Sequence, residues 1–113
     1  MRYLSLVLLT TISVARAAAP VTESVHCSLN YSAAEACQMS DQVASDGLHT
    51  MEFVFGNNRV RFTGKSQTRW WSGQLDGEPV MGLELNRGHV VFSTSDLKTT
   101  FEWWSKGNEH GTY

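Results

Sequence analysis

The sequence predicts a mainly β domain, a small antiparallel up-and-down meander or barrel of about six strands, with a disulfide-pinned N-terminal segment that holds a short helix. Three observations carry this expectation. Apolar residues recur at every second position in a series of short runs, the period that buries one face of a strand. Clusters of glycine, asparagine and aspartate separate the runs at regular intervals. The only two cysteines, Cys27 and Cys37, stand ahead of the first run.

Residues 1–17 read as a cleavable secretory signal. Met1-Arg2 is the positive start, Tyr3 to Val14 the apolar run, and Ala15-Arg16-Ala17 places small residues at the cleavage spacing. The run is shorter than the roughly 20 residues a membrane-spanning helix needs, so no membrane insertion is expected. The product is expected in the periplasm of a Gram-negative cell and otherwise secreted. Removing 17 of 113 residues leaves 96, the size of one domain over 18–113. Loss of Arg2 and Arg16 leaves seven basic side chains against eleven acidic ones. A mildly acidic chain gains nothing from counterion release, which excludes nucleic acid as the expected partner.

Within residues 18–48, Val25 to Leu29 suits a short strand, and Ser32-Ala33-Ala34-Glu35 has capping-box spacing, which predicts a short helix toward Met39. Export places Cys27 and Cys37 where disulfides persist, and they are expected to bond to each other. His26 beside Cys27 has no second Cys-His group at ligand spacing, so no metal and no cofactor are expected. Asn30-Tyr31-Ser32 matches the glycosylation acceptor pattern, relevant to a eukaryotic secretory route.

The β-meander is expected over 49–104. Met51, Phe53 and Phe55 alternate, as do Val60 and Phe62, around Gly56-Asn57-Asn58. With Asn57-Asn58 as the loop, Phe55 meets Val60 and Phe53 meets Phe62, leaving Glu52 diagonal to Arg61 on the outer face. Lys65 to Thr68 reads as a polar connection. Asp76-Gly77 is a strong hairpin signal, pairing Trp70 with Leu83 and Trp71 with Gly82. This reading puts Trp70, Met81, Leu83 and Leu85 on the core face, with Trp71, Val80 and Gly82 opposite. Asn86-Arg87-Gly88 makes the next turn and matches Val90 and Phe92 to Leu85 and Leu83. In the last strand Phe101 and Trp103 share the core face, while Glu102 and Trp104 look outward. Residues 105–113 form a polar tail.

Enzyme templates fail. The chain has no Gly-x-Ser-x-Gly elbow and no His-Glu-x-x-His helix, and Gly64-Lys65-Ser66 lacks the earlier glycine of a phosphate loop, since position 59 is Arg59. His26, His49, His89 and His110 are scattered. The tryptophan pairs Trp70-Trp71 and Trp103-Trp104 stand apart, because adjacent strand residues point to opposite faces and one ring of each pair must leave a single-sided core. The registers above assign Trp71 and Trp104 outward. With Arg69 and Lys106 beside them they are the expected contacts for a protein or a cell-wall glycan, unless the N-terminal segment covers that face.

Phe101-Glu102-Trp103-Trp104-Ser105-Lys106-Gly107-Asn108-Glu109 resembles the closing segment of bacterial periplasmic inhibitors of C-type lysozyme. The resemblance implies a small exported β-barrel with a lysozyme as partner. That family's Ser-Gly-x-x-Tyr loop has no counterpart, Ser93-Thr94-Ser95-Asp96-Leu97 standing in its place, and its cysteines tie more distant strands. No inhibitory residue carries over. The expected function is a non-enzymatic binding module. The alternatives are a small envelope hydrolase using Glu52, Glu84 or Glu102, and a purely structural envelope protein.

Overall fold

The computed structural model describes residues 19–86 and 88–105. The expected signal and the polar tail from Lys106 onward, with His110, lie outside the described residues, whereas Ser105, expected to open that tail, closes the last strand. Eight antiparallel strands close into one up-and-down barrel: β1 (Val21–Leu29), β2 (Glu35–Val43), β3 (His49–Phe55), β4 (Asn58–Gln67), β5 (Trp70–Leu75), β6 (Glu78–Asn86), β7 (His89–Thr94) and β8 (Thr100–Ser105). Each strand pairs with its sequence neighbour, and β1 pairs with β8 to close the circle, with Cys27 opposite Trp103 and Leu29 opposite Phe101. No helix among the described residues is long and apolar enough to cross a membrane.

The two staves beyond the expected six are β1 and β2, and the expected helix toward Met39 is absent. Cys37 and Met39 point inward and are buried, while Ala36 and Gln38 are exposed between them, a period of two that helical spacing cannot satisfy. Ser32 serves a turn instead of a helix cap: its hydroxyl accepts from the Leu29 amide at 3.2 Å, and its own amide donates to the Leu29 carbonyl. The Cys27–Cys37 disulfide ties β1 to β2 across a Cα separation of 5.7 Å, as the cysteine count predicts.

The β3–β4 turn is Gly56-Asn57, one residue earlier than expected, since Phe55 stands opposite Asn58, Phe53 opposite Val60 and Met51 opposite Phe62. Glycine takes the first turn position at φ 55°, a conformation it adopts without a Cβ clash. This register differs from the expected one by two residues, so every side chain keeps its face. Glu52 stands directly opposite Arg61 and makes its ion pair, at 3.1 Å, with Arg59. Lys65 to Gln67 continue β4, and the β4–β5 turn narrows to Thr68-Arg69.

The β5–β6 hairpin turns at Asp76-Gly77, both at positive φ, and pairs Trp70 with Leu83 and Trp71 with Gly82, as the sequence predicts. Its faces are reversed. Trp71, Gly73 and Leu75 follow the inward series, with Val80 and Gly82 across from them, whereas Trp70 and Met81 are exposed. The cause lies in how β6 pairs with β7. A register shift between Glu84 and Asn86 places Phe92 opposite Gly82 and Val90 opposite Glu84, so the core face of β6 carries Gly82 instead of Leu83. A one-residue bulge exchanges the two faces of the strand it interrupts.

The interior is filled by Phe53, Phe62, Phe92 and Phe101, all fully buried, together with Met51, Val90 and the disulfide. Phe62 stacks on Phe92 at 4.5 Å, and Phe53 meets Phe101 edge-on at 4.8 Å. Glycines make room for these rings: a Cβ on Gly82 would stand 2.7 Å from the Phe92 ring.

Candidate functional site

The outer wall of β5, β6 and β7 near the end where β5 begins carries an apolar surface. Outward alternation sets Trp70 opposite Leu83, and Leu83 opposite Val91. Trp70 is 55% exposed and Leu85, at the bulge, 42%. Leu83 and Val91 between them are half-buried, so the row is continuous and accessible. Arg69 borders it. Its guanidinium donates to the main-chain carbonyls of Glu84 and Leu85 at 3.3 and 3.2 Å, which holds the bulged end of β6 against the β4–β5 turn.

Of the sequence-predicted contacts, Trp104 lies on the outer wall and Arg69 at its border. Trp104 is half-buried and stacks on His89, ring centroids 4.7 Å apart and planes 24° from parallel. His89 donates from Nε2 to Glu102 Oε2 at 2.9 Å. Trp71 is corrected: it faces inward, packs against the core and meets Phe62 edge-on at 5.8 Å. The outward ring of that pair is Trp70. The apolar majority on β6 pointed the sequence reading to the wrong face.

A second histidine pair sits on the inward series. His49 Nδ1 lies 3.0 Å from both oxygens of Asp41, so this nitrogen carries the proton, and the ring meets Trp71 edge-on at 4.9 Å. Sequence reasoning found neither pair, since Asp41–His49 and His89–Glu102 join different strands; alternation alone would have placed His89 and Glu102 on one face. Among the described residues, no group of three or more histidine, cysteine, aspartate or glutamate side chains is arranged to hold a metal ion. The carboxylates of the hydrolase alternative are each engaged: Glu52 with Arg59, Glu102 with His89, and Glu84 accepting from the Gly88 amide at 3.3 Å.

Surface and loops differ in kind. The β7–β8 turn is tightly bonded: Thr94 Oγ1 donates to Asp96 Oδ1 at 2.7 Å, the Lys98 amide donates to the same oxygen, and the Leu97 amide donates to the Thr94 carbonyl. The Thr94 hydroxyl and then the Lys98 amide hold the Asp96 carboxyl below its ordinary range. The chain matches no family model, no curated protein and no solved structure.

Proposed function

We propose that the chain is a small exported binding module without catalytic activity, docking a protein partner through the outer wall around Trp70, Leu83 and Leu85, with Trp104 extending the surface. The observation that carries this is Trp70, the outward ring of its pair, 55% exposed among aliphatic neighbours. A tryptophan on the wall of a filled barrel adds nothing to its core, while such rings with aliphatic neighbours are the usual centre of protein interfaces. The side of the ring toward β6 and β7 is aliphatic, with Leu83 directly opposite Trp70 and Val91 beyond it, while Gln67 stands opposite the ring on β4. Export is supported by the signal-like start and by the disulfide.

The resemblance of the closing segment, whose first five residues form most of β8, makes a C-type lysozyme the first partner to test. Calorimetric titration of the mature chain with C-type lysozyme is expected to show binding, and with soluble peptidoglycan fragments none. Trp70→Ala is expected to weaken the complex roughly 30-fold, the scale of an interface anchor. Unchanged affinity in that variant, or binding of the glycan alone, would overturn the reading.

A further inference from the structure

The opposite end of the same wall carries a separate feature. Leu97, at the tip of the β7–β8 turn, is 80% exposed and holds φ at 61°. A leucine in the left-handed region is strained, and glycine or asparagine is the ordinary occupant. The fold gains nothing from leucine there, since its side chain stands in solvent. Beside it lies a depression of about 370 Å³ lined by Met81, Ser93, Thr94, Ser95 and Leu97, with Met81 57% exposed. The turn is rigid. Besides the Thr94 and Asp96 bonds, the Ser95 amide donates to the Pro79 carbonyl at 3.0 Å, fixing the turn to the start of β6.

We propose that this knob and depression form a self-complementary contact with a second copy of the chain, Leu97 of each copy entering the depression of the other. A patch that carries both a projection and the hollow beside it can meet its own image about a two-fold axis, so that one geometry satisfies both copies. The charges agree. Asp96 and Lys98 flank Leu97, both exposed and of opposite sign, and a two-fold axis near Leu97 brings Asp96 of each copy toward Lys98 of the other. A contact made by one turn and the depression beside it belongs with the small, transient interfaces, so the dimer is weak. It does not involve Trp70 and stands independently of the docking surface proposed above.

Sedimentation velocity of the mature chain from roughly 5 to 500 µM tests this. The expected result is a concentration-dependent shift from monomer to dimer. Leu97→Gly, with a melting temperature at least that of the parent, weakens association at least about tenfold, and Lys98→Asp weakens it as well. Trp70→Ala leaves it unchanged. A parent chain that stays monomeric throughout overturns the proposal. So does a dimer that survives Leu97→Gly, or one lost in Trp70→Ala and kept in Leu97→Gly.

Discussion

Trp71 and Gly82 face each other across β5 and β6, and the second explains where the first can go. A methyl group on Gly82 would lie 2.7 Å from the Phe92 ring and 3.0 Å from the Trp71 Cβ. Neither ring yields cheaply, because Phe92 is itself stacked on Phe62. Gly82→Ala is therefore expected to destabilise the barrel by about 1–3 kcal/mol, read from urea unfolding midpoints. Gly64 and Gly73 stand opposite each other and are tighter, their added Cβ atoms clashing with the main-chain oxygens of Ser72 and Thr63. Asp96 gives a residue-scale pH effect. Its carboxyl titrates below the ordinary range when folded, so it contributes stability above the unfolded value of about 3.9 and loses that contribution as pH falls through the folded value. Asp96→Asn is expected to lower the melting temperature at neutral pH and to narrow its difference from the parent below about pH 4.

At the scale of elements, the hairpins were legible and their faces were not. Asp76-Gly77 sets the β5–β6 pairing from two residues of sequence, because positive φ at two adjacent positions leaves one register. Which face of that hairpin turns inward depends on the bulge at Leu85, which no turn residue announces. Counting large apolar groups favoured Trp70, Met81, Leu83 and Leu85, whereas a barrel already filled by phenylalanines needs glycine at that wall. Aromatic pairs did reveal that one ring must leave the core, and alternation named it correctly as Trp104 in β8, but in β5 the outward ring is Trp70 where Trp71 was expected. The second half of β1 was legible as a short strand over Val25 to Leu29, but β2 escaped notice because its inward residues are Cys37 and Met39 among polar neighbours, and the Ser-x-x-Glu spacing offered a competing helix. The disulfide joining them was legible from the cysteine count alone. Replacing both cysteines with alanine is expected to cost about 3 kcal/mol of unfolding free energy, from the freed loop in the denatured chain. With Cys27 fully buried and Cys37 3% exposed, a thiol reductant is expected to leave the bond intact until denaturant is added, as thiol labelling and mass measurement would show.

For the molecule as a whole, closure decides what partners can do. The sequence left open whether the barrel closes; β1 and β8 pair with each other, so a second copy or another protein must meet a wall or an end of the barrel. Trp70→Ala, on the wall, is accordingly expected to leave melting unchanged within about 0.5 kcal/mol, which separates its effect on docking from any effect on folding. The seam between β1 and β8 also has a meaning in time. It joins the two ends of the barrel sequence, the pairing with the greatest loop entropy to overcome, while every other pairing joins neighbours. The hairpins can form early and one by one, but Phe101 and Trp103 reach Leu29 and Cys27 only when the last strand arrives. A chain stopped before β8 would lack two of its core rings and leave β1 and β7 each with one bare edge, and so would stay an open, pliable sheet until its last strand was in place.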